Sequence, residues 1–162
     1  MTRGHVTIID DDKDARQMLR MALEAEGMEV GEVHSGLRLI STLHVDKPDV
    51  ILMEVVLSWV NGIDLCKSIK KNPAFRDIPV VFISERRRSE DIVEGLSAGA
   101  VDYFPKPIHL SRLIPRVREI IDSRHPEASK GAGAWPETYG AWEEQVDPGS
   151  GRTGDDEPER QS

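Results

Sequence analysis

The sequence predicts an α/β fold, a doubly wound sheet of five parallel strands covered by five helices, and three observations predict it. Five short apolar runs, several rich in Val and Ile, recur along the first 105 residues, as strands buried on both faces do. Between them lie segments whose apolar residues repeat at helical spacing. The two patterns alternate strictly, which points to βα units joined by right-handed crossovers.

The elements follow in order. Residues 6–9 form the first strand and run into Asp10, Asp11 and Asp12. Ala15, Met18, Leu19, Ala22 and Leu23 make the apolar face of the first helix, with Gly27 as its C-terminal cap. Residues 28–33 are the second strand, and Leu37, Ile40 and Leu43 face a second helix inward. The third strand, 50–53, ends at Glu54. Ile63, Cys66 and Ile69 mark the third helix, stopped by Asn72-Pro73. Residues 80–83 lead to Ser84, and a fourth helix carries Ile92, Val93 and Leu96 before Gly99. Residues 101–104 lead to Lys106, and Leu110, Leu113, Ile114, Val117, Ile120 and Ile121 line the last helix. Pro115 fits that helix if Ser111 is the N-cap, because the first turn has few N–H bonds to lose.

Charge divides the chain. Residues 1–124 hold 20 acidic and 18 basic side chains, whereas residues 125–162 hold 9 acidic and 3 basic. The first part is expected to be the folded domain. The second, dominated by Gly, Pro, Ser, Asp and Glu, is expected to be a disordered acidic tail. Within it Trp135, Tyr139 and Trp142 fall at i, i+4 and i+7 and would share one helix face. Pro136 and Gly140 oppose an isolated helix, so the segment is either unstructured or a docking motif that folds on a partner.

No broad basic face exists to attract phosphates, so nucleic-acid binding is not expected. The one basic run, Arg86-Arg87-Arg88, is a solvated loop or a contact for an acidic partner or the chain's own tail. Cys66 is the only cysteine, which excludes an internal disulfide. The five histidines lack a metal-ligand spacing. The N-terminus is too short and acidic for a signal peptide, and no run approaches the roughly 20 apolar residues of a membrane span. A cytoplasmic protein with no membrane partner is expected.

In open α/β sheets, functional side chains gather at the carboxyl ends of the strands. Asp10, Asp11, Glu54, Ser84 and Lys106 all fall there. Clustered carboxylates repel unless a cation joins them, and a hard divalent ion such as Mg²⁺ suits oxygen ligands. Lysine adds a movable positive charge that can pair with a carboxylate or phosphoryl oxygen, and the Ser84 hydroxyl can donate to the same anion.

The motifs Ile8-Ile9-Asp10-Asp11-Asp12, Pro48-Asp49-Val50-Ile51-Leu52-Met53-Glu54, Asn61-Gly62, Val81-Phe82-Ile83-Ser84, Ala98-Gly99-Ala100-Val101-Asp102-Tyr103 and Lys106-Pro107, in this order, resemble the receiver domain of bacterial two-component response regulators (CheY-like). The resemblance spans residues 5 to about 123. It implies strand order 2-1-3-4-5 and Mg²⁺ at Asp10, Asp11 and the backbone carbonyl of Val56. It also implies that Ser84 and Tyr103 are switch residues, that Lys106 pairs with the phosphoryl group, and that Lys106-Pro107 is a cis peptide. Partners would dock on the face of helix 4, strand 5 and helix 5.

Three positions depart from the family. Glu54 stands where the family has its phosphate-accepting aspartate, and its carboxylate reaches roughly 1.5 Å further. Displacement by about 1 Å in a site built for in-line attack can cost on the order of 100-fold. Glu85 replaces a small residue, and Ser58, followed by Trp59, replaces a proline. A pseudo-receiver is therefore expected: no enzyme, signalling through protein contacts independently of phosphorylation, with Glu54 engaging Lys106. The 38 residues after position 124 are too few for an output domain, so output is expected through the partner face or the tail. Two alternatives stay open, a phosphorelay receiver that binds Mg²⁺ and takes phosphate from a histidine kinase, and a structural adaptor with a vestigial pocket.

Overall fold

The computed structural model describes residues 4–126. Ten elements alternate through that range: β1 (His5–Ile9), α1 (Lys13–Ala25), β2 (Glu29–Val33), α2 (Gly36–Val45), β3 (Val50–Met53), α3 (Gly62–Lys71), β4 (Val80–Ser84), α4 (Ser89–Ser97), β5 (Asp102–Pro105) and α5 (Leu110–Arg124). All strand pairs are parallel and the order is β2-β1-β3-β4-β5, as the resemblance implied.

Every residue of the central strand β3 is buried, because helices cover both faces of the sheet. Ile51 and Met53 point into one core with Leu39, Leu43, Cys66, Ile69, Phe82 and Tyr103. Val50 and Leu52 point into the other with Leu19, Leu23, Leu113 and Val117. Cys66 is a fully buried member of the first core, and burial pushes its thiol pKa up to about 11.

Local chemistry sets the helix ends. The Asp12 side chain caps α1 by accepting from the N–H groups of Asp14 and Ala15. Gly27, at φ +83°, closes the same helix in the left-handed region, and the Met28 N–H returns to Leu23 O at 3.2 Å. Asn72 ends α3 before Pro73.

Four expectations change. His109, not Ser111, precedes the first turn of α5, so Pro115 lies in the helix's second turn. A proline there costs roughly 3 kcal/mol. The neighbouring Leu113, Ile114 and Val117 are fully buried, and each contributes roughly 1.5–3 kcal/mol, so packing wins. In α2 the buried pair is Leu39 and Leu43, while Leu37 is 69% exposed. In α1, Met18 is 40% exposed. In α4 only Gly95 is buried, and Val93 and Leu96 are exposed. Beyond Pro126 the proposed tail, including Trp135, Tyr139 and Trp142, lies outside the described residues. Among the described residues, no helix is long and apolar enough to cross a membrane.

Candidate functional site

Strand register builds the site. Ile9 and Met53 are partners across β1 and β3, and the Glu54 N–H donates to Ile9 O at 3.0 Å. The next residues, Asp10 and Glu54, therefore emerge side by side. On the other flank, the Lys106 N–H donates to Ser84 O at 2.7 Å, which seats both residues beside the carboxylates. Lys106-Pro107 is cis.

Asp10 and Glu54 are 4% and 5% exposed. Uncompensated buried charges cost several kcal/mol, so the partners of these carboxylates define the site. Glu54 Oε1 accepts from the backbone N–H of Val55 at 2.9 Å and of Val56 at 3.1 Å, and from the Ser84 hydroxyl. Its Oε2 lies 3.0 Å from Lys106 Nζ. The same ammonium is 2.8 Å from Asp10 Oδ2, and Asp10 Oδ1 accepts from the Asp12 N–H at 2.8 Å. One lysine thus bridges two buried carboxylates.

Burial raises the Asp10 pKa, and the bonds from Lys106 and Asp12 offset it only in part. For Lys106 burial acts to lower the pKa, but hydrogen bonds to Asp10 and Glu54 outweigh it. The ammonium is held above its ordinary 10.5.

Asp11 points elsewhere. Its Oδ2 accepts from the Ser58 N–H at 2.6 Å and the Ser58 hydroxyl at 2.7 Å. The sequence reading marked Ser58 only as a missing proline. A proline has no N–H to give, whereas serine supplies two donors and draws Asp11 toward the β3–α3 loop. Sequence reasoning also missed Arg16. Its guanidinium is buried, donates to Asp10 O at 2.6 Å and pairs with Glu32 at 3.1 Å, so it props the β1–α1 loop from behind.

The carboxylates of Asp10 and Asp11 are hard oxygen donors of the kind that hold Mg²⁺, so the residue types fit the ion the family implies. Val56, whose carbonyl would join them, is 53% exposed at the rim. In the present arrangement Lys106 compensates Asp10, and Ser58 engages one of the two carboxylate oxygens of Asp11.

A hydrogen-bonded chain leads outward from Glu54. Ser84 is fully buried, and its oxygen also accepts from the Arg86 N–H at 3.1 Å. The Arg86 carbonyl in turn accepts from the Tyr103 hydroxyl at 2.6 Å. The Tyr103 ring is 6% exposed, lies 5.9 Å from the Phe82 ring and fills space left by Gly95. A Cβ on Gly95 would stand 2.8 Å from Tyr103 Cδ2. Burial raises the pKa of the Tyr103 hydroxyl. At the opposite end of the sheet, His5, Glu29 and Asp46 each bring one potential ligand atom within 4.8 Å of the others. Sequence spacing could not reveal that cluster, because it brings the starts of β1 and β2 together with the end of α2.

The chain resembles known proteins throughout this region. Residues 6–118 match the family model of the response regulator receiver domain. The transcriptional regulatory protein CseB of Streptomyces coelicolor is 34% identical over 134 residues, covering 80% of this chain and 56% of that protein. The response regulator MprA of Mycobacterium avium is 30% identical over 122 residues, covering 75% of this chain and 53% of its own length. The chain thus spans about half the length of these curated relatives. Among solved structures, a putative response regulator from Chloroflexus aurantiacus superposes with a TM-score of 0.70 at 29% identity, covering 73% of this chain and 97% of that one. A two-component response regulator from Clostridium difficile gives 0.68 at 30% identity, covering 75% and 96%. With the strand order, the register and the family match in agreement, this chain belongs to the response regulator receiver domain family.

Proposed function

We propose that this receiver domain is a pseudo-receiver, a non-enzymatic signalling module that works through protein contacts and does not depend on phosphorylation. One observation carries the reading: the Glu54 carboxylate is consumed. To accept a phosphoryl group, a carboxylate oxygen must be free to attack in line. Here Oε1 takes three hydrogen bonds, and Oε2, which accepts no well-aligned hydrogen bond, is held by the charge of Lys106 at 3.0 Å, in a side chain that is 5% exposed.

The groups that hold Glu54 are those the resemblance assigns to a phosphoryl group, namely Ser84 and Lys106. Glu54 occupies their donors itself, with the single negative charge of a carboxylate where a phosphoryl group would bring nearly two. The chain of bonds through Arg86 then ties Tyr103 to its inward position. This supports one held conformation that resembles the family's activated arrangement.

Output would pass through the face of α4, β5 and α5, where Val93, Leu96 and Val101 expose apolar surface to a partner protein. The same reading places the protein in the cytoplasm, where response regulators meet their kinases. Mg²⁺, if bound by Asp10 and Asp11, would screen the acidic cluster.

The test is incubation with acetyl phosphate and Mg²⁺, or with a histidine kinase, followed by intact mass spectrometry. No phosphoryl adduct is expected. An adduct on Glu54 would favour the second reading, a phosphorelay receiver, which the presence of Asp10, Asp11 and Lys106 supports. An adaptor with a vestigial pocket would keep its partner affinity in both Glu54→Ala and Glu54→Asp.

A further inference from the structure

Two surface features border the site and share one residue. Arg86, Arg87 and Arg88 are all exposed, and among the described residues none of their guanidiniums is in an ion pair. With Glu85 and Asp91 they line an open depression of about 670 Å³ before α4, in which the three arginines outnumber the two carboxylates. Arg86 also lines a second depression, of about 330 Å³, with Val56, Trp59 and Val60. Trp59 is 91% exposed, in left-handed backbone at φ 71°. Such a conformation costs a non-glycine residue on the order of 1–3 kcal/mol. The loop therefore holds a large ring out in solvent at some cost. Together the two depressions form one surface that is cationic on one side and aromatic on the other.

A ligand for this surface has to be acidic and aromatic at once. Residues 135–147 of the chain have that composition. They carry Trp135, Tyr139 and Trp142 with Glu137, Glu143, Glu144 and Asp147, and no Lys or Arg. We propose that this C-terminal segment docks intramolecularly on the Arg86–Arg88 and Trp59 surface, with its carboxylates on the arginines and its rings beside Trp59 and Val56. The inference stands whether or not Glu54 accepts phosphate.

Chain length permits it. The Arg124 guanidinium donates to Asp77 O, so the root of the segment sits beside Asp77. From Asp77 to Arg86 is nine residues, which extended chain spans in no more than about 30 Å. Trp142 is 18 residues beyond Arg124 and can reach about 60 Å.

Each exposed ion pair contributes only about 0.2–1 kcal/mol. Tethering supplies the rest, because a short linker gives an effective concentration in the millimolar range.

The test uses the full chain and its amide and indole resonances at low salt, where screening is weak. Glu143→Lys with Glu144→Lys is expected to shift the amides of residues 85–91 and the Trp59 indole. Arg87→Glu with Arg88→Glu is expected to shift the Trp142 indole. Combining both pairs should return these signals at least halfway to their original positions, and all shifts should persist on dilution. Three results would overturn the proposal: tail substitutions that move only their own neighbours, a charge-swapped chain that recovers nothing, or shifts that disappear on dilution, which would mean that a second copy supplies the segment.

Discussion

Lys106→Ala is expected to lower the folding stability by about 3 kcal/mol at neutral pH, the low end of the range for removing one partner of a buried ion pair. The ammonium lies between Asp10 and Glu54, whose side chains are 6% and 5% exposed. Without it, two adjacent buried carboxylates would face one another uncompensated.

The pH dependence has a definite sign. Burial already raises the Asp10 pKa, and Lys106 is among the influences that lower it, so the substitution raises it further. A carboxyl whose folded pKa exceeds its unfolded value is stabilised in its protonated form, so stability recovers as pH falls through the folded pKa. The gap between variant and parent should therefore narrow toward acid. In the parent the lysine works the other way. Its contribution is complete below the ordinary 10.5 and is lost as pH rises through the elevated folded value. Urea midpoints at neutral and acid pH give both quantities. A loss below about 1 kcal/mol at neutral pH, well short of the range for a broken buried pair, or a gap that does not change with pH, would mean that the pair is not the anchor described.

Glu54→Asp is expected to raise phosphorylation by acetyl phosphate in the presence of Mg²⁺ by on the order of 100-fold or more. Removing one methylene draws the carboxylate back roughly 1.5 Å, out of reach of the Ser84 hydroxyl and away from Lys106. Both donors then become free for an incoming phosphoryl group. Time courses read by intact mass give the two rates. Equal rates would show that the length of the side chain is not what closes the site, and would turn attention to Glu85 or to the Ser58–Asp11 contact.

The fold was legible in the sequence because the inner strands are buried on both faces and so read as apolar runs, whereas the edge strands β2 and β5 are only partly covered. β3 and β4 are buried throughout. Helix faces were read less well where the helix is only half covered. Leu37, Val93 and Leu96 have the right spacing yet face solvent, since periodicity tells that a stripe exists but not how wide the neighbouring cover is. Pro115 was placed a turn too early because no capping side chain marks the start of α5.

In the site, the strand-end rule located Asp10, Glu54, Ser84 and Lys106, and the length of glutamate foretold its meeting with Lys106. What the sequence could not show is which donor each carboxylate chooses. That Asp11 turns to Ser58, that Arg16 braces the backbone of Asp10, and that Tyr103 bonds to the Arg86 carbonyl all depend on loop geometry.

The most direct measurement is addition of beryllofluoride, a phosphoryl mimic, with Mg²⁺ while the amide resonances of residues 54–56, 84–88 and 102–106 are followed. With Glu54 already holding Ser84 and Lys106, these resonances should stay where they are in the parent and move only in Glu54→Asp. Movement of the same resonances in the parent, at saturating beryllofluoride, would contradict the claim that the glutamate fills the phosphoryl site.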